Sequence, residues 1–175
     1  MASSSRPPGK TLISATALQR RVAVLGREIA AHYGREPFVV LGLMNGSLFF
    51  LVDLLRRLPA ETRVECWRVQ SYAGRASSGK LQGLAHCGGD FAGRRVLIVD
   101  DILDTGLTLA AVERRAKELG ATRVDSCVLL RKRRRRTVAV RARWAGFDIA
   151  DRFVVGYGLD LDGQYRALKS IQALD

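Results

Sequence analysis

Four aliphatic residues followed at once by two acids, Val96-Leu97-Ile98-Val99-Asp100-Asp101, constrain the fold of this chain more than any other stretch. A segment apolar on both faces belongs in the middle of a parallel sheet, covered by helices on each side. Its carboxyl end must then carry the two acids to the sheet edge, where open α/β sheets bind ligands.

The neighbouring segments agree with that placement. Phe38 to Leu43 is a short apolar run after Pro37, and Leu48 to Leu58 reads as a helix stopped by Pro59. Arg63 to Gln70 and Val124 to Leu130 read as strands, Leu107 to Leu119 as a helix ending at Gly120, and Arg152 to Val155 as a shorter extended segment. Upstream, Ala17, Leu18, Val22, Leu25 and Ile29 fall at helical spacing between Ser14 and His32, with Ser14 or Thr16 as cap and Gly34 as stop. Strand and helix alternate from Phe38 to Leu130, which predicts an α/β fold with a mainly parallel central sheet flanked by helices.

At 175 residues the chain fits one domain, residues 11–175, after a flexible tail over residues 1–10. Between Ser71 and Asp90 lie five glycines, three serines and little periodicity, so this stretch is a loop. Its length suits a lid over a site better than a plain connector. Cys66, Cys87 and Cys127 are odd in number and lack CxxC spacing, so they read as reduced packing residues.

Lys and Arg total 29 against 17 Asp and Glu, a net charge of +12, which favours anionic partners such as phosphorylated metabolites or nucleic acid. Apolar stretches are too short to span a bilayer, and no signal-peptide hydrophobic region follows the start. The first 27 residues hold no acid, as in organellar transit peptides, yet a short tail and a first helix of the fold account for them equally. The chain is expected to be soluble and cytoplasmic, with no membrane partner.

Asp104-Thr105-Gly106-Leu107-Thr108 follows the two acids and supplies a glycine turn, two hydroxyls and the free N–H groups of a helix start, a set that suits a phosphate monoester. The plainer reading is a polar turn in which Asp or Thr caps the next helix. A nucleoside-triphosphate P-loop is not supported, since GxxxxGK[ST] is absent.

Val96 to Thr108 resembles the phosphoribosyl-pyrophosphate signature of the type I phosphoribosyltransferases, and other motifs narrow the likeness to the hypoxanthine-guanine phosphoribosyltransferases. Leu43-Met44-Asn45-Gly46-Ser47 resembles the family's pyrophosphate loop, and Ser71-Tyr72 the dipeptide opening its mobile lid. Phe153-Val154-Val155-Gly156-Tyr157-Gly158-Leu159-Asp160 is similar to its purine-stacking segment.

This resemblance implies a small hood built from the terminal segments, and purine salvage: transfer of a 5-phosphoribosyl group from phosphoribosyl pyrophosphate to hypoxanthine or guanine. Asp104 would be the general base and, with Thr105, Gly106, Leu107 and Thr108, would line the 5-phosphate site. Asp100 and Asp101 would hold the ribose hydroxyls directly or through Mg2+. Asn45, Gly46 and Arg166 would meet pyrophosphate. Lys132 would donate to the purine 6-oxygen, Phe153 would stack on the ring, Val154 would meet the base edge, and Asp160, counted with these purine-site residues, would help hold a Mg2+ that carries the pyrophosphate. Met44–Asn45 is the candidate for a cis peptide bond. A homodimer or tetramer is implied as well.

Three departures from the family pattern stand out: Asn45 replaces a common lysine, Leu107 replaces a basic residue, and Arg131 to Arg136 extends a usual Lys-Arg pair. Alone, that run reads as a nucleic-acid or localisation tract. A nucleotide-sensing RNA-binding regulator on the same fold is therefore the alternative, and a xanthine-preferring enzyme is another; contact of the run with nucleic acid is expected to be non-specific. Counting back from Phe153 sets Lys132 as the purine donor, with Arg134 and Arg135 outside base choice.

Overall fold

The computed structural model describes residues 9–69, 83–135 and 137–174. In chain order the elements are β1 (Lys10–Ile13), α1 (Ala15–Tyr33), β2 (Phe38–Met44), α2 (Leu48–Leu55), β3 (Arg63–Arg68), β4 (Arg95–Leu103), α3 (Leu107–Glu118), β5 (Arg123–Lys132), β6 (Trp144–Ile149), β7 (Phe153–Val155) and β8 (Ile171–Leu174). Strands β3-β2-β4-β5-β6 form a five-stranded sheet in that order, and β1-β8-β7 form a smaller one. Every pairing in the large sheet is parallel, and both pairings in the small sheet are antiparallel.

Alternation along β4 explains the layers. Leu97 and Val99 point into a core shared with Leu18, Val22, Leu25 and Ile29 of α1 and Phe50, Leu51 and Leu54 of α2. Val96 and Ile98 point the other way, against Leu109, Val112 and Ala116 of α3. Burial of each such side chain contributes about 1.5 to 3 kcal/mol, so the aliphatic run fixes β4 at the centre of the sheet. Helix α1 starts where its sequence directs, with the Ser14 hydroxyl accepting from the Ala17 amide at 3.2 Å, and stops at Gly34.

Several boundaries differ from expectation. Helix α2 ends at Leu55, and the amides of Arg57 and Leu58 form tighter turn bonds to Leu54 and Leu55 ahead of Pro59, which disfavours helical backbone at the residue before it. Strand β4 runs on to Leu103, so Asp100 and Asp101 lie within it, and β5 runs on to Lys132. Lys10, placed in the tail by sequence, opens β1 opposite Ala173. Part of the expected loop is packed: Leu84–His86 forms a 3₁₀ turn, Cys87 is buried, and the Trp67 indole donates to the Gly88 carbonyl at 2.9 Å. Cys66, expected to pack, is exposed because β3 is an edge strand, whereas Cys127 is buried. Ser71 and Tyr72 lie outside the described residues.

Among the described residues, no helix is long and apolar enough to cross a membrane.

Candidate active site at the sheet edge

The chain leaves β2 for β3 on one side and returns to place β4 on the other, so strand order reverses between β2 and β4. The loops following these two strands therefore face one crevice, the usual ligand position in such sheets. Asp100 and Asp101 project there from β4. The Asp101 amide donates to Asp100 Oδ1 at 3.0 Å. Burial, then the charge of Asp101, pushes the Asp100 carboxyl well above the usual carboxylate range. Burial also raises Asp101, opposed by hydrogen bonds and by the charge of Arg166. Two desolvated acids side by side make a site that favours a cation.

Beyond them, Gly106 has φ 85° at the start of α3, a left-handed conformation that suits glycine. A side chain there would also press on Val140 Cγ1, 2.6 Å from the added carbon. The Leu107 amide donates to Thr105 Oγ1 at 3.4 Å, and the Thr137 amide to the Thr105 carbonyl at 3.0 Å. Thr105, Gly106, Leu107 and Thr108 thus wrap the first turn of α3, where backbone N–H groups suit a phosphate.

Across the crevice the Met44–Asn45 peptide is cis, as the resemblance implied. The Ser47 hydroxyl donates to the Leu43 carbonyl at 2.6 Å and closes the turn, leaving the Asn45 side chain exposed. Gly46 lies under the Asp101 carboxylate, so that an added Cβ would collide with Asp101 Oδ2. An added Cβ on Gly158 would collide in turn with the Gly46 carbonyl. Three segments distant in sequence thus meet with no room for a side chain. Arg166 pins the third, donating to the Gly158 carbonyl at 2.6 Å and pairing with Asp160 Oδ1 at 2.7 Å. Asp160 Oδ2 accepts from the Gly163 amide at 2.7 Å.

On the β5 side, Lys132 Nζ lies 2.9 Å from Asp104 Oδ2 and 3.1 Å from Asp151 Oδ1. Burial works against the charged Lys132, but the hydrogen bonds and charges of Asp104 and Asp151 outweigh it, and its pKa is raised. Arg134 Nη1 reaches the same two acids, Asp104 Oδ1 at 3.0 Å and Asp151 Oδ2 at 3.3 Å. Phe153 opens β7 and is 53% exposed, a large aromatic surface free to stack, while Val154 beside it is buried. Arg131 leaves the crevice and makes a forked pair with Asp148 at 2.5 and 2.9 Å.

Sequence reasoning missed Asp151 and the contact of Arg134 with both acids. The only signal was a lone Ala150-Asp151-Arg152 turn, and nothing in one dimension sets it beside Lys132.

Residues 10–162 match the family model described as a phosphoribosyl transferase domain. The chain is 39% identical over 171 residues to the hypoxanthine-guanine phosphoribosyltransferase of Mycobacterium avium, covering 94% of this chain and 84% of the relative. It is 40% identical over 158 residues to the enzyme of that name from Aquifex aeolicus, covering 89% and 88%. A crystal structure of a hypoxanthine-guanine phosphoribosyltransferase from Bacillus anthracis superposes with a TM-score of 0.89 at 32% identity, covering 97% of this chain and all of that one.

Proposed function

The chain belongs to the phosphoribosyl transferase family, and from that premise we propose that it transfers the 5-phosphoribosyl group of phosphoribosyl pyrophosphate to hypoxanthine or guanine, giving IMP or GMP and pyrophosphate. One distance carries the choice of base. A 6-oxopurine presents N7 and O6 on the same edge, so a base for N7 and a donor for O6 have to be neighbours. Asp104 Oδ2 and Lys132 Nζ are 2.9 Å apart.

In this reading N9 of the purine forms the bond to C1 of the ribose as the bond from C1 to the pyrophosphate oxygen breaks, its electrons leaving with pyrophosphate. Asp104 takes the N7 proton as attack proceeds. Lys132 polarises O6, Phe153 stacks on the ring, and Val154 supplies backbone at the base edge. The first turn of α3 holds the 5-phosphate, and Asn45, Gly46 and Arg166 receive pyrophosphate. Backbone does more of this work than in relatives, because Asn45 and Leu107 bring no charge.

Magnesium fits the donor set. Asp100 and Asp101 are hard oxygen ligands whose charges burial disfavours in the absence of a cation. Among the described residues no cluster of three or more metal-ligating side chains occurs, and Mg2+ is usually held by one or two carboxylates with substrate oxygens and water. Asp100 and Asp101 would hold one ion on the ribose side, and Asp160 would help hold another. Bound there, Mg2+ would neutralise the charge developing on the leaving group.

We further propose that the enzyme is cytoplasmic, in keeping with three unpaired cysteines, and a homo-oligomer, in keeping with the exposed Leu48, Phe49 and Val52 on α2. The carboxylate partners of Arg131, Lys132 and Arg134 weigh against a specific RNA site in the basic run. Steady-state assays with hypoxanthine, guanine, xanthine and adenine, phosphoribosyl pyrophosphate and Mg2+ test the reading. Nucleotide formation from hypoxanthine or guanine that stops in excess EDTA is expected, and no transfer to any 6-oxopurine would overturn it.

A further inference from the structure

Among the described residues Lys132 has two carboxylate partners, and an ammonium has three N–H donors. Asp104 Oδ2 and Asp151 Oδ1 take two of them. Each acid turns its other oxygen to the same nitrogen, Arg134 Nη1, at 3.0 and 3.3 Å. Cations and anions therefore alternate around a closed ring of four side chains. The ring leaves one N–H of Lys132 uncommitted.

We propose that Asp151 is a specificity-determining positioning residue: with Asp104 it tethers the Lys132 ammonium so that its remaining N–H points at the 6-substituent of the purine. The inference rests on the 6-oxopurine reading above. Arg134 braces the device by holding Asp104 and Asp151 at a fixed separation.

Placement in the chain supports the role. Lys132 lies opposite Ile149 in the β5–β6 ladder, Asp151 follows two residues later, and Phe153 two residues after that. Asp151 thus links the donor strand to the stacking aromatic. Its side chain is 45% exposed while that of Lys132 is 12% exposed. A pairing so open to water adds little to folding, and its effect falls on the direction of Lys132. An untethered ammonium can rotate its donors toward water. Held in place, it meets the carbonyl of a 6-oxopurine with a donor, and it meets the amino group of adenine as donor against donor.

The test measures binding of IMP and of AMP by titration calorimetry to wild type, Asp151→Ala, Lys132→Ala and the double variant, with Asp151→Asn as a conservative second form should the alanine fold poorly. Asp151→Ala is expected to lower the IMP-to-AMP affinity ratio about tenfold, with AMP binding little changed. In the Lys132→Ala background the same substitution is expected to have no further effect, a non-additivity that a general structural role would not produce. An unchanged ratio in Asp151→Ala and Asp151→Asn, or an equal drop with and without Lys132, overturns the inference. A wild type with no preference for IMP over AMP overturns the 6-oxopurine reading itself, and this inference with it.

Discussion

The Tyr157 hydroxyl donates to Asp53 Oδ2 at 2.6 Å, tying the turn that holds Gly158 to helix α2. The same oxygen accepts from Gln19 Nε2 of α1 at 2.6 Å. Burial, then the hydrogen bond to Asp53 and its charge, raises the phenol above its ordinary pKa, so it stays a donor at neutral pH. Tyr157→Phe is expected to cost about 1.5 to 3 kcal/mol in urea unfolding, the range for a hydrogen bond to a charged group. It should also raise KM for phosphoribosyl pyrophosphate more than KM for hypoxanthine, because Arg166 hangs on the neighbouring Gly158 carbonyl. Equal proportional rises in the two KM values would reduce the contact to a structural one.

Gly46→Ala is expected to lower kcat/KM for phosphoribosyl pyrophosphate by about a hundredfold, the scale of loss when a binding group shifts by an ångström. The new methyl must displace the Asp101 carboxylate. In an Asp101→Ala background the substitution should then cost far less, and steady-state kinetics on the four proteins checks this. Full additivity would show that Gly46 acts through something else.

Asp104→Asn keeps the shape of the side chain and removes its capacity to take a proton. We expect kcat to drop by about a hundredfold or more, well beyond the loss in IMP affinity, which should be about tenfold at most as one tether of Lys132 weakens. Wild-type turnover in this variant would remove Asp104 from the role of base.

Asp100 gives a pH signature. Its folded pKa is raised by burial and by Asp101, against an unfolded value near 3.9. A group that binds its proton more tightly when folded contributes stability fully below the unfolded pKa and loses it as pH rises through the folded one. Relative to Asp100→Asn, wild type should therefore lose stability from about pH 4 toward neutrality. Mg2+ with phosphoribosyl pyrophosphate should stabilise wild type more than the variant and so shrink the difference. Urea melts across that range decide the matter, and a flat difference would mean that Asp100 ionises freely in the fold.

How far the sequence revealed all this depended on distance along the chain. Leu18 to Ile29, Phe38 to Leu43 and Val96 to Val99 carry their own periodicity, so α1, β2 and β4 were legible within one window each. Strands β1 and β8, four residues each, were not, because neither has a pattern without the other. Strand β6 was missed since Trp144-Ala145-Gly146-Phe147-Asp148-Ile149 is short and interrupted by glycine. In the site, Asp100, Asp101 and Asp104 stand in one motif at a strand end, whereas Asp151 and Asp53 gain meaning only from partners far off in sequence.

The small sheet bears on the order of events during folding. Lys10 pairs with Ala173, and Phe153 reaches β1 only through β8. Closing a loop from Lys10 to Ala173 is slow and entropically costly, while β2 through β6 pair between segments closer together in sequence. The phosphate cradle after β4 can therefore form from neighbouring segments before Ile171–Leu174 docks to set the stacking wall. A folding chain would then be able to grip a sugar phosphate before it can choose a base.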